Sequence, residues 1–247
     1  MKKSEEMNED RALAQTNLDK LLKNPYFGRL IMMGIDPDGQ EAVIITAISG
    51  RSEGSRNRIY KKNDQTGCVY TAVADSTKQV GDPELTLYDT QAEDQKLGLF
   101  AASNGRQTGD CVSGDDYLDN LLHGWSFEPD KPNFTPRISG RLRTKGRGPI
   151  FEFFIHRKRD ADGKCEMTCY GLSNVGPGFG YYVCTYEDNG DPLPPFVGGP
   201  RLITIRKEPL IDLAYGLASR DFLAAMSMKR VPLNNEGHSK ITVWDRP

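Results

Sequence analysis

No stretch of this 247-residue chain comes near the ~20 consecutive apolar residues that a membrane-spanning helix needs. The N-terminal MKKSEEMNEDRALAQ is charged but lacks the apolar segment of a secretory signal. These two absences predict a cytoplasmic protein with no membrane partner. A surplus of positive charge is missing as well: 32 Lys and Arg stand against 34 Asp and Glu, a net charge of −2. A protein that wraps a nucleic-acid polymer carries a basic excess or stripe. That partner is therefore set aside, while a small anion held by a few arginines stays compatible.

Histidines number only three, and they are scattered, so a Ser-His-Asp triad would have to recruit one of them and is set aside. The five cysteines (Cys68, Cys111, Cys165, Cys169 and Cys184) are odd in number, which argues against a disulfide framework and fits a reducing compartment. Cys165 and Cys169 make a CxxxC pair with no further ligand at zinc spacing, so small buried or half-buried thiols are expected. Phosphate-binding GxxxxGK[ST], a GxGxxG between strand and helix, HExxH and GxSxG are all absent. Gly176-Pro177-Gly178-Phe179-Gly180 is glycine-rich, but its proline and the strand after it suit a turn.

With 37% hydrophobic and 27% charged residues, the chain has a globular composition and can bury a sizeable core. Residues 10–22 place Leu13, Leu18, Leu21 and Leu22 near a helical period, and Asn24-Pro25 stops them. This helix is read as an N-terminal extension over 1–24, packed on a single domain over 25–247. Two apolar runs, 30–35 and 42–48, flank Asp36-Pro37-Asp38-Gly39 and read as a hairpin. Further strands are expected at 59–62, 69–74, 85–88, 97–102, 137–142, 150–157, 166–172, 181–186, 202–206 and 240–244. Helices are expected at 115–123 and, as one or two segments, at 210–229. Strand–helix alternation is missing, so the fold class is α+β, with stacked sheets covered by helices.

Several polar groups sit at strand ends. Residues 50–58 read as a loop without apolar periodicity, presenting Arg51, Arg56, Arg58, Ser52 and Ser55. Guanidinium forks and serine hydroxyls suit a phosphate, and a solvated basic loop fits the same residues. Asn104, in Ser103-Asn104-Gly105, can read an amide or base edge or simply make an Asn-Gly turn. Glu128 lies between Trp125, Phe127 and Pro129. Partial burial there would raise its pKa and let it exchange a proton near neutral pH; an exposed loop carboxylate is the plainer reading. Tyr88 offers a phenol to a developing oxyanion, or is a half-buried strand aromatic. Arg137, in Thr135-Pro136-Arg137-Ile138, is a ligand arginine or a salt-bridged one.

Tyr26-Phe27-Gly28-Arg29 before an apolar strand, Ser49-Gly50-Arg51-Ser52 with Ser55 and Arg58, Tyr88, Ser103-Asn104-Gly105 and Thr135-Pro136-Arg137-Ile138 follow one another in order. The combination resembles the archaeal-type IMP cyclohydrolases from about Pro25 into the C-terminal third. The resemblance implies a four-layer αββα sandwich similar to N-terminal-nucleophile hydrolases, without their N-terminal nucleophile. It further implies dehydrative closure of 5-formamidoimidazole-4-carboxamide ribonucleotide to IMP, with no metal and no cofactor. By matched position, Tyr88 and Glu128 are implied for oxyanion stabilisation and proton transfer. Arg29, Arg51, Arg58 and Arg137 are implied for the 5′-phosphate and ribose, with Arg56 competing for the place of Arg58, and Asn104 for the carboxamide or base. A symmetric homo-oligomer is compatible with the resemblance, since the family often assembles in that way. Two alternatives stay open: a purine-nucleotide-binding paralogue without turnover, and a hydrolase using Cys111 as nucleophile.

Overall fold

The computed structural model describes residues 2–78, 80–234 and 237–245. Among the described residues, thirteen antiparallel strands form two sheets. The first sheet has the order β11-β10-β1-β2-β12-β13, from β1 (Arg29–Ile35), β2 (Glu41–Ser49), β10 (Phe179–Cys184), β11 (Arg201–Thr204), β12 (Leu223–Pro232) and β13 (Lys240–Asp245). The second runs in sequence order through β3 (Arg58–Asn63), β4 (Cys68–Val73), β5 (Asp89–Asp94), β6 (Leu99–Ser103), β7 (Arg137–Arg143), β8 (Ile150–Lys158) and β9 (Cys165–Ser173).

Side-chain alternation shows how the layers meet. Ile31 and Met33 of β1 face the second sheet at Gly140, where a Cβ would lie 2.8 Å from the Met33 methyl carbon. Met32, pointing the other way, lines a small cavity with Leu18 and Leu22 of α1 (Lys2–Lys23) and Leu213 of α5 (Pro209–Gly216). The first sheet is thus covered on both faces, which is why β1 and β2 are almost unbroken apolar runs. On the second sheet Ile138, Leu142, Phe151, Phe153 and Ile155 join the shared core. The opposite face carries Ala101 and Phe154 under Leu121 of α4 (Tyr117–Gly124) and Cys111 of the preceding 3-10 turns. Each large apolar side chain buried there contributes about 1.5–3 kcal/mol. Leu18 and Leu21 of α1 belong to the core shared by the two sheets.

The structure departs from the sequence reading in three places. Residues 85–88 are not a strand. Asp82 caps a short helix, α3 (Pro83–Thr86), by accepting from Glu84 N at 3.0 Å, and the strand begins only at Asp89. The helix expected over 210–229 ends at Gly216, and after a turn over 217–222 the segment from Leu223 onward is strand β12. Ala224, Ala225, Met226, Met228 and Lys229 favour helix by propensity, but pairing with β2 and β13 and burial on both faces override that preference. Within the loop over 50–58, Ser52 and Ser55 form a reciprocal capping box on α2 (Glu53–Arg56), so those hydroxyls are spent on local structure.

Candidate active site

One end of the two sheets gathers nearly every polar residue singled out above. β1 starts there at Arg29, β2 ends at Ser49, β3 starts at Arg58, β5 follows Tyr88, β6 ends just before Asn104 and β7 starts at Arg137. Antiparallel pairing forces the coincidence: Arg29 is opposite Ile48, and Ser103 opposite Ser139. The β2–β3 crossover carries the chain from one sheet to the other at this end. Glu128 arrives by a different route, on the loop after α4, and is fixed by its N–H donating to Thr135 O at 2.9 Å.

Gly28 sets the entrance to β1. Its φ is +70°, and a Cβ would lie 2.2 Å from Thr185 Oγ1 and 2.5 Å from the Tyr186 ring. Only glycine takes that conformation at so close an approach, and the next residue, Arg29, is thereby turned toward Glu128. Arg29 Nη2 donates to Glu128 Oε2 at 2.7 Å and Oε1 at 2.9 Å. Gly105 serves Arg137 in a similar way, because a Cβ there would sit 2.2 Å from its Nη1.

The charges do not balance. Arg58 (3% exposed) and Arg137 (9%) are buried, yet neither forms an ion pair among the described residues. Arg58 donates Nε to Ser55 O at 2.8 Å and Nη2 to Ser49 O at 3.4 Å. Arg137 donates to Gln107 Oε1 at 3.4 Å and lies over the Trp125 ring, 5.2 Å from its centroid. Burial pushes both guanidinium pKa values down, with Tyr88 opposing at Arg58 and Glu128 at Arg137. Arginine does not lose its proton in proteins, so the burial is felt as a demand for negative charge. For Arg29 burial works in the same direction, but Glu128 and then Tyr88 outweigh it and hold its pKa well above the ordinary arginine value. Burial of Glu128 (1% exposed) raises its carboxyl pKa against the pull of Arg29 and Arg137. Of the eight buried side-chain polar atoms without a hydrogen-bond partner among the described residues, three belong to this cluster: Arg29 Nε, Arg58 Nη1 and the Tyr88 hydroxyl.

The remaining candidates occupy different positions. Asn104 is fully engaged: Nδ2 donates to Pro136 O at 2.9 Å and Glu128 Oε1 at 3.5 Å, while Oδ1 accepts from Ile138 N at 2.8 Å and Gln107 Nε2 at 3.2 Å. Arg51 is exposed at the rim, its guanidinium 5.6 Å from the Tyr26 centroid, donating to Gly190 O at 2.8 Å. Arg56 turns back onto Arg51 O and Gly50 O, leaving Arg58 as the arginine within the cluster. Cys111 is wholly buried, donates to Gln107 O at 3.4 Å and has its thiol pushed up to about 12 by burial, the opposite of an activated nucleophile. Among the described residues no group of three or more His, Cys, Asp or Glu could hold a metal ion, and no helix is long and apolar enough to cross a membrane.

Sequence reasoning did not single out Tyr60, Asp130, Thr135 or Tyr186 as site residues. Tyr60 was findable, since it lies two residues after Arg58 on a strand and so shares its face. Tyr186 was not, because only the pairing of β10 with β1 brings it beside Tyr26, with ring centroids 5.8 Å apart.

A family model described as IMP cyclohydrolase-like protein matches residues 26–222, the span that holds every candidate residue above. The chain belongs to that family. No curated protein and no solved structure matches it.

Proposed function

We propose that the protein is an IMP cyclohydrolase, forming IMP and water from 5-formamidoimidazole-4-carboxamide ribonucleotide. The observation that carries this reading is the buried, cation-rich cluster in which Arg29 Nε, Arg58 Nη1 and the Tyr88 hydroxyl are donors without acceptors. Such a cluster suits an anionic ligand rich in oxygen acceptors, and the family supplies its identity. Helices on the outer face of each sheet support the finer fold reading, a four-layer αββα sandwich akin to N-terminal-nucleophile hydrolases.

The two reacting groups already share one molecule, so the protein has to hold the reactive rotamer and manage protons. The carboxamide nitrogen attacks the formyl carbon. A C–N bond forms and the formyl oxygen gathers negative charge, which the free Tyr88 phenol stabilises by donating to it. Glu128 accepts a proton from the attacking nitrogen and passes it to the formyl oxygen, which becomes a hydroxyl; it then takes the former formamide N–H proton and gives it to that hydroxyl, which departs as water as C=N forms. Water leaves and the proton count closes. A carboxyl whose pKa is raised by burial exchanges protons near neutrality more readily than an ordinary one. Arg58 and Arg137 take the phosphate and ribose, with Arg51 at the rim. Arg29 acts by holding Glu128, and Asn104 by bracing the start of β7 against it.

The test is IMP formation followed by ultraviolet absorbance. Turnover that is lost in both Tyr88→Phe and Glu128→Gln supports the reading. Tight IMP binding without turnover would sink it in favour of a nucleotide-binding family member.

A further inference from the structure

The loop that delivers Glu128 is held by side chains that, among the described residues, form no hydrogen bond to the Glu128 carboxyl or to Arg29. Asp130 Oδ1 accepts from Thr135 N at 2.7 Å, and its Oδ2 accepts from the Thr135 hydroxyl. Thr135 Oγ1 also meets the Tyr186 hydroxyl. A threonine hydroxyl has one proton. Spent on Asp130, that proton leaves Oγ1 as an acceptor, so Tyr186 donates and the chain runs one way, from Tyr186 through Thr135 to the Asp130 carboxylate. Burial keeps the Tyr186 phenol protonated by pushing its pKa up. The Tyr186 hydroxyl is therefore committed, whereas that of Tyr88 is free.

The same loop is clamped at its tip. Asp130 O accepts from Asn133 N at 3.0 Å and Phe134 N at 3.2 Å, and Asn133 Oδ1 accepts from Leu193 N at 3.0 Å. Phe134 sits at φ 45°, a conformation a bulky residue keeps only when its surroundings over-determine it. The Phe127 ring meets it edge-on at 5.6 Å, and Lys158 Nζ stands 3.9 Å from its ring centroid.

We propose that Asp130, acting through Thr135 and Tyr186, is a positioning residue for the reaction: the chain fixes the loop that holds the Glu128 carboxyl against Arg29. This rests on the cyclohydrolase reading for its kinetic consequence, but not for its structural one. The groups facing Glu128 are Arg29 of β1, Arg137 of β7, the amide of Asn104 after β6, Tyr186 after β10, and Asp130 on its own loop. Of these Asp130 is the other carboxylate, and its charge adds to the upward push of burial on Glu128.

Asp130→Asn removes that charge and reverses the chain, because its amide nitrogen donates to the Thr135 oxygen where the carboxylate accepted. The expected result is a kcat lower by about ten- to a hundredfold with KM changed less than about twofold, a fraction of the whole acid–base contribution. The carboxyl limb of the kcat–pH profile moves to lower pH. Thr135→Ser, which keeps the hydroxyl, retains kcat and limb, whereas Thr135→Val loses kcat like Asp130→Asn. A wild-type protein that turns over beside an Asp130→Asn variant with wild-type kcat and an unmoved limb overturns the inference and leaves the proposed function standing. If the wild type does not turn over, that function fails, and the inference is judged by 13C NMR titration of the Glu128 carboxyl, assigned with Glu128→Gln. A midpoint lowered by Asp130→Asn supports it, and an unchanged midpoint overturns it.

Discussion

Arg58 gives the sharpest perturbation, because it is a buried cation with one fork nitrogen unpartnered and no carboxylate in an ion pair with it among the described residues. Arg58→Lys keeps the charge and discards the fork. If Nη1 binds a phosphate or another anionic oxygen, the variant loses a charge-assisted hydrogen bond of about 1.5–3 kcal/mol, or about ten- to a hundredfold in Kd. Thermal unfolding with added IMP reads this directly. At 100 times the wild-type Kd, ligand stabilises the wild type by about 2.7 kcal/mol, a Tm increase of about 5–11 °C for a chain of this size. The same IMP concentration is only about one to ten times the variant's Kd, which leaves about 0.4–1.4 kcal/mol. The variant's shift should therefore be at most about half that of the wild type. Arg230→Lys, at the opposite end of β12 and paired with Glu41 at 3.2 Å, is the control and should keep the full shift. An undiminished shift in Arg58→Lys would refute the argument that the orphaned guanidinium nitrogen marks the ligand.

Tyr88→Phe should lower kcat by about a hundred- to a thousandfold with little change in KM, as expected for an oxyanion donor felt mainly in the transition state, and steady-state absorbance kinetics check it. The raised Glu128 pKa fixes the sign of a pH effect on stability. Between the ordinary carboxylate value and the raised folded value the native state binds more protons, so stability falls as pH rises through that window. Urea unfolding at a series of pH values should show this slope in the wild type and lose it in Glu128→Gln. A thiol reagent should reach exposed Cys169 first, while Cys111 and Cys184, both buried and both pushed up in pKa, stay unlabelled until the chain unfolds.

The parts of the fold legible in the sequence are those where local pattern and tertiary demand agree. The hairpin of β1 and β2 is one, with its apolar runs and Asp-Gly turn. Residues 223–232 show the reverse. Ala, Met and Lys there carry a helical propensity of a few tenths of a kcal/mol each, too little to compete with a strand slot between β2 and β13 that buries both faces. Nothing local in the segment announces that slot. Burial of Lys229 is similarly non-local, since its partner Glu93 lies on the other sheet at 2.7 Å and its other contact, Gly67 O, in the β3–β4 turn.

The gathering of the candidate residues was legible for a different reason. Polar groups at the ends of antiparallel strands are brought together by the pairing itself, so a sequence that places Arg29, Arg58, Asn104 and Arg137 next to strand termini has already chosen one end of the sheets for them. What the sequence could not display is how their donors are divided. Asn104 and Tyr186 carry the right chemistry and stand in the right place, yet their hydrogen bonds are consumed by Pro136, Ile138, Gln107 and Thr135. Tyr88, Arg29 Nε and Arg58 Nη1 are left over. A buried donor without an acceptor costs about 1–3 kcal/mol, more when it is charged. Three of them, two on neighbouring arginines and one on the Tyr88 phenol that interacts with both, leave a set of donors that the oxygens of an anion would satisfy.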